Sequence, residues 1–258
     1  MLFPVTVSIG NTPLPLHVIC EVLAFFIAFR YYIFLRKKSG DHISNNNRVW
    51  ILMAAIFGAF AGSRIVGGLE NPTAMLHAKN IFMYFYLNKT VLGGFLGGLL
   101  AVETAKKMIN EKQASGDLFT YPMILGLIIG RIGCFSMGVY EDTYGIPTNI
   151  FTGINLGDGI ARHPVTLYEI FYLLLLWMLL KKMEANFQLR TGSVFKIFLF
   201  SYFLFRFLCD FIKPHYNVLF GLSVIQITSL LGMIWYYRYV LHPQMLIESE
   251  IPIAIKNK

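Results

Sequence analysis

Apolar runs of roughly 20 residues recur along this chain, a length that matches the ~30 Å hydrocarbon layer of a bilayer. Only 14% of the 258 residues are charged, against about a quarter in an average soluble domain. A water-soluble fold would also have to hide 23 Phe and 14 Tyr. Disorder is excluded, because so apolar a chain buries too much surface to stay solvated. The runs are continuously apolar and lack the period of two that barrel strands need, so helices are predicted.

Seven spans are predicted at about 16–35, 49–69, 91–109, 117–138, 165–181, 194–213 and 218–240, within one integral membrane domain covering 1–258. The fold class is thus an all-α membrane protein of about seven transmembrane helices. The longest outer segment, 139–164, is rich in Gly, Asp, Asn, Thr and Pro, as functional loops often are. The net charge is +8. No nucleic-acid motif accompanies it, and its distribution points to a membrane topology instead. With the N-terminus outside, the inner segments hold Arg36, Lys37, Lys38, Arg48, Lys106, Lys107, Lys112, Lys181, Lys182, Arg190, Lys196, Arg238, Lys256 and Lys258. The outer segments hold only Lys79, Lys89, Arg162 and Lys213. This imbalance follows the positive-inside rule and places the C-terminus in the cytoplasm. The opening MLFPVTVSIG lacks a basic stretch, so no cleavable signal peptide is expected. Cys20, Cys134 and Cys209 all fall in apolar segments and form no framework of spaced pairs.

Each ionisable group inside a span costs at least ~2.5–3.5 kcal/mol on insertion scales and calls for a reason. On this topology Arg64, Arg131, Arg206, Asp210, Glu21 and Glu169 all fall in the outer half of the bilayer. The outer loop adds Glu141, Asp142, Arg162 and His163. The expectation is a polar cavity open to the outer leaflet. Guanidinium groups at that depth suit the phosphate of a phospholipid, through their fork of donors. Structural ion pairing is the bland alternative: Arg206 with Asp210, four residues on, and Arg131 with Asp142 or Glu169. Tyr202, Arg206 and Asp210 form a stripe with a four-residue repeat on one helix. Gly93, Gly94, Gly97 and Gly98, like Gly126, Gly130 and Gly133, suit close helix packing. Those beside Arg131 could instead leave room for a headgroup. No Walker loop, HExxH or GxSxG occurs, and the six histidines show no metal-ligand spacing, so neither metal nor cofactor is expected.

Three ordered blocks carry a family resemblance. GRIGCFSMGVYEDTYGIPT, from Gly130 to Thr148, resembles the signature G-R-x-G-N-F-x-N-G-E of bacterial prolipoprotein diacylglyceryl transferases. RHPVTLYE, from Arg162 to Glu169, is similar to the family's R-H-P-x-Q-L-Y-E. YFLFRFLCDFIKP, from Tyr202, with the following GLSVIQ, is similar to its Y-x-x-x-R-F-x-x-E-x-x-R and G-L-S-x-x-Q. The resemblance covers about 45 to 240. It implies an enzyme of the bacterial inner membrane that moves the diacylglyceryl group of phosphatidylglycerol onto the lipobox cysteine of a preprolipoprotein, releasing glycerol phosphate. By position it implies catalytic roles for Arg131, Tyr202 and Arg206. Asp142 stands near the family's Glu, and Glu141 is the alternative. Gly145, Tyr168 and Glu169 fall within the matching blocks and, with Arg64, Gly93, Gly94, Gly133, Glu141 and Arg162, make up the expected substrate site.

The departures are specific. The family's His before the double glycine corresponds to Leu92, which cannot take a proton. Its signature asparagines correspond to Cys134 and Met137, two residues are inserted before Tyr144, and the Gln of the second block is Thr166. The phosphate-binding arginines are retained while the acid–base groups are altered. His163 is the first candidate for the replacement base, with Glu141 and Asp142 next, although His163 could equally just order its turn. A different acceptor, or phospholipid binding or transport without catalysis, are the alternatives that these departures leave open.

Overall fold

The computed structural model describes residues 3–10 and 12–248. Lys256 and Lys258, used in the charge argument, lie outside the described residues. The chain opens with a hairpin of β1 (Thr6–Ile9) and β2 (Thr12–Pro15), paired antiparallel from Thr6 with Pro15 to Ile9 with Thr12. Helices follow: α1 Leu16–Ser39, α2 Asn45–Leu69, α3 Pro72–Leu76, α4 Ile81–Leu87, α5 Val91–Met108 and α6 Asp117–Met137. A second small hairpin pairs β3 (Ile154–Asn155) with β4 (Ala161–Arg162). The chain then continues through α7 Val165–Asn186, α8 Ser193–Asp210 and α9 Val224–Leu241.

The fold is mostly helical. Among the described residues, three segments are long and apolar enough to cross a membrane: α1, α2 and Asp117–Tyr140. The pair α4 and α5 passes the same test jointly but is bent by 95°. The last helix starts six residues later than the sequence suggests: Leu219 and Leu222 form a bridge around Gly221 (φ 73°). Ser223 then caps α9 in a reciprocal box with Gln226. The helix of the sixth expected span, α8, ends at Asp210 rather than 213.

The exterior is apolar. Phe25, Phe26 and Phe29 on α1, Ile56, Phe57 and Phe60 on α2, and Phe171 and Met178 on α7 are exposed. Contiguous apolar surface of this extent belongs against lipid rather than water. The interior centres on α8, whose Phe198, Leu199, Tyr202 and Phe203 pack with Leu92 and Leu99 of α5, Ile124 of α6, Leu173 and Leu176 of α7 and Ile225 of α9. Two helix pairs approach closely through small residues. A Cβ on Gly97 would lie 2.4 Å from the carbonyl oxygen of Gly58, and one on Gly93 would lie 2.3 Å from that of Gly62, so α2 and α5 touch backbone to backbone. Gly133 similarly admits Cys20 and His17 of α1 against α6.

One end of the bundle is tied by Asp41, in the α1–α2 connection. It accepts from Nε of Arg36 (2.9 Å) and Nε of Arg48 (2.8 Å), and the buried Arg48 reaches the Ser115 carbonyl before α6 (3.1 Å). At the other end, the 139–164 segment is pinned rather than loose. Ile146 donates to the Ile212 carbonyl beyond α8 (2.9 Å), and Gly145 and Ile146 pair with His163.

Candidate functional site

Glu169 sits in the second turn of α7, 1% exposed, between two arginines from different helices. Nε of Arg131, near the end of α6, lies 2.8 Å from its Oε1. Arg206 on α8 donates from Nη1 to Oε2 at 2.9 Å, and Tyr202, one turn earlier, donates its hydroxyl to Oε1 at 2.6 Å. All four side chains are buried. The sequence places them there for local reasons. Tyr202 and Arg206 share a face of α8 because they are four residues apart. Pro164 precedes the first turn of α7 and sets where Glu169 begins its descent.

This arrangement settles the pairing alternatives. Arg206 pairs with Glu169, while Asp210 accepts a hydrogen bond from Ser223 Oγ at the start of α9 and lies 4.0 Å from Nδ1 of His215. Arg131 likewise pairs with Glu169, and Asp142 is exposed. Two guanidiniums share one carboxylate, so these three side chains by themselves carry a net positive charge, with the buried Asp210 one turn further along α8. Arg206 Nε is buried without a hydrogen-bond partner among the described residues. Such a cluster suits an anion with several acceptor oxygens.

The remaining expected site residues divide by location. Gly93 lies against α2 and Gly133 against α1, so both serve helix packing. A Cβ on Gly94 would meet only ordinary contacts, the nearest at 3.5 Å. Gly145 fits under His163, where a Cβ would come within 2.5 Å of the His163 Cβ. His163 itself faces the Tyr168 hydroxyl at 3.3 Å, which pairs with Thr152 Oγ1 at 2.7 Å. Arg162 donates to Asp158 at 2.7 Å and lies over the Tyr144 ring. That hydrogen bond holds the Asp158 carboxyl below its usual range. Arg64 sits between the rings of Phe60 and Tyr86, 5.3 and 5.1 Å from their centres. Leu92 is fully buried in the central core.

Gly138 ends α6 with φ 60°, where a Cβ would collide with the Leu156 carbonyl oxygen at 2.1 Å. The turn folds Glu141 back beside the last turn of α6. There Cys134 Sγ lies 3.5 Å from Glu141 Oε1 and 3.7 Å from Arg131 Nη1. His17, in the first turn of α1, completes this second group, its Nδ1 3.3 Å from Glu141 Oε2. Sequence reasoning missed His17, which stands alone in the sequence far from every matching block. The available signal was Gly133, whose missing side chain lets α1 come close.

The sequence model of the family described as prolipoprotein diacylglyceryl transferase matches residues 4–241. The chain is 30% identical over 224 residues to a phosphatidylglycerol–prolipoprotein diacylglyceryl transferase of Cupriavidus metallidurans, covering 80% of this chain and 78% of that protein. A protein of the same name from Campylobacter lari is 28% identical over 84% of this chain and 83% of its own. One from Campylobacter hominis is 28% identical over 90% of this chain and 87% of its own.

Proposed function

The chain belongs to the prolipoprotein diacylglyceryl transferase family, and from that premise we propose that it transfers the diacylglyceryl group of phosphatidylglycerol to the cysteine thiol of a prolipoprotein. The acceptor cysteine lies in the lipobox of the signal peptide. The enzyme works in the bacterial cytoplasmic membrane through seven spans (α1, α2, α5, α6, α7, α8 and α9), with its N-terminus outside. Arg131, Arg206, Tyr202 and Glu169 then stand in the outer half of the bilayer, beside a cavity open to the outer leaflet. The observation that carries this reading is the pair of guanidiniums sharing the single carboxylate of Glu169.

The chemistry follows from the charge. A thiolate attacks the glycerol carbon that bears the phosphate ester. The S–C bond forms, the C–O bond to phosphate breaks, and glycerol phosphate leaves with the electron pair. Arg131 and Arg206 hold the phosphate and stabilise the charge that grows on it in this reading. Arg64, Arg162, Tyr168 and Gly94 line the approach, and Gly145 supports His163 from beneath. The thiol proton goes to a group near the outer mouth, with His163, Glu141 and Asp142 as the candidates in place of the family histidine.

Reconstitution with labelled phosphatidylglycerol and a lipobox peptide tests the proposal. Label on the peptide thiol is the expected result. Consumption of phosphatidylglycerol without peptide labelling would redirect the reading to another acceptor, and binding without turnover would end the enzymatic reading. In the same assay His163→Gln lowers turnover by roughly 10²–10⁴ if His163 is the base. Unchanged turnover removes it from the mechanism.

A further inference from the structure

His17, Cys134 and Glu141 offer an imidazole nitrogen, a thiol sulfur and a carboxylate within 4.8 Å of one another. We propose that these three residues form a binding site for a divalent borderline metal, Zn²⁺ by its ligand preferences. Tetrahedral zinc with bonds of about 2.0–2.3 Å places its donor atoms roughly 3.3–3.8 Å apart. The two shortest edges are 3.3 Å from His17 Nδ1 to Glu141 Oε2 and 3.5 Å from Glu141 Oε1 to Cys134 Sγ, each through a different carboxylate oxygen, and one donor atom from each residue keeps all three within 4.8 Å. His17 Nδ1 and Glu141 Oε2 face each other buried, and neither has a hydrogen-bond partner among the described residues. A cation between them satisfies both.

The surroundings fit a metal-ligating histidine. The other ring nitrogen of His17, Nε2, lies 3.8 Å from Glu21 Oε2, one turn along α1. Glu21 is held in turn by an ion pair with Lys89. At 3.8 Å this carboxylate makes no hydrogen bond, and its negative charge favours a cation on the imidazole. Arg131 Nη1 approaches the Cys134 sulfur at 3.7 Å, a contact that suits a thiolate. A thiolate and a carboxylate together neutralise a divalent ion, so the filled site presents no net charge to the neighbouring arginine. Helix packing sets the geometry: Gly133 brings His17 beside Cys134, and Gly138 turns Glu141 back.

Three protein donors leave a fourth tetrahedral position, the pattern of reactive rather than structural zinc sites. Resting on the transferase reading above, the ligand for that position is the acceptor thiol. On binding, the S–H proton passes to the outer base, His163 or Asp142 where Glu141 is held by the metal, and a sulfur–metal bond forms. In the transfer the S–C bond forms and the sulfur–metal bond breaks. This use supplies a thiolate where Leu92 supplies no base.

The test uses the full-length protein in detergent, stripped with a chelator and titrated with Co²⁺ alone. One equivalent should bind, with a thiolate-to-cobalt charge-transfer band and the intense visible bands of a four-coordinate ion. Cys134→Ser should abolish the charge-transfer band. His17→Gln and Glu141→Gln should each weaken binding at least tenfold. Glu21→Gln should weaken it less than the ligand variants do, with the band retained. Absence of stoichiometric binding overturns the site, as does an unchanged spectrum in Cys134→Ser. The measurement needs no turnover. A metal-free protein that labels the lipobox peptide normally therefore rejects the metal and keeps the transferase, and metal binding without labelling does the reverse.

Discussion

Glu169 accepts from Arg131, Arg206 and Tyr202 at once, so its replacement is asymmetric with theirs. Glu169→Gln leaves two guanidiniums buried without a counter-charge and should destabilise the protein by about 3–5 kcal/mol, read as a lowered unfolding midpoint in detergent. Arg206→Lys keeps the charge but loses the planar fork, and turnover should fall by roughly 10²-fold or more. Retention of near-normal turnover in Arg206→Lys would mean that the residue serves only as a positive charge. Both arginines were legible in the sequence because a charge in an apolar run needs a reason. Glu169 was legible for the same reason, and the structure added which partner each arginine chooses. His17 was not legible. A histidine at a helix start near a membrane surface is unremarkable until a second helix brings Cys134 to it, and that approach depends on an absent side chain at Gly133.

Adjacent glycines on α5 have opposite environments. A Cβ at Gly93 would meet the Gly62 carbonyl oxygen at 2.3 Å, whereas one at Gly94 would come no closer than 3.5 Å to its neighbours. Gly93→Ala should therefore cost about 1–3 kcal/mol through forced separation of α2 and α5. Gly94→Ala should be neutral or stabilise by up to about 1 kcal/mol, through helix propensity and a restricted unfolded chain. Parallel thermal denaturation of the two variants decides it, and equal loss in both would contradict the packing argument. The long helices were readable from apolar length alone, with errors of a few residues at their ends. The short elements were not. The α3 and α4 helices follow Asn71 and Asn80, whose side chains cap them, but a helix of five or seven residues carries too little periodicity to stand out. The β1–β2 hairpin is similarly short, and its place is fixed by contact with α6: Val5 donates to the Ser136 carbonyl and Phe3 meets Phe135 edge-on.

At the scale of the whole molecule, the proposed topology places Gly40 and Asn186 inside and Asn149 outside. Cysteine variants at 40 and 186 should resist a membrane-impermeant thiol reagent in intact cells, while one at 149 should react. Labelling at 40 or 186 from outside would invert the arrangement. The tie at Asp41 adds a pH dependence. Burial alone would raise its carboxyl, but hydrogen bonds from Arg48, the Ile43 amide and Arg36 outweigh burial and hold it below its usual value. A carboxyl depressed in the folded state contributes stability above its unfolded pKa of ~3.9 and loses it as pH falls through the folded value. The unfolding midpoint should therefore drop on acidification below about pH 4, and Asp41→Asn should remove that part of the drop while lowering stability at neutral pH. An unaltered acid profile in the variant would show that the tie contributes nothing. The charge distribution that set this topology was readable directly. The Asp41 tie was not, because it joins residues whose proximity depends on how α1, α2 and α6 meet.

The 95° bend between α4 and α5 has a mechanical consequence. With α5 along the bilayer normal, α4 lies flat in the headgroup plane, its exposed Ile81, Phe82, Met83 and Leu87 immersed like a float. It is moored to the bundle nearby, where the Thr90 amide donates to the Ser63 carbonyl and the backbone of Asn88 and Lys89 lies against Gly67. The outer surface of the membrane then becomes the datum from which the protein's draught is set. A thicker or thinner bilayer shifts the inner helix ends, where long Lys and Arg side chains absorb the mismatch. On the proposed topology the two arginines then keep their height relative to the lipid phosphates.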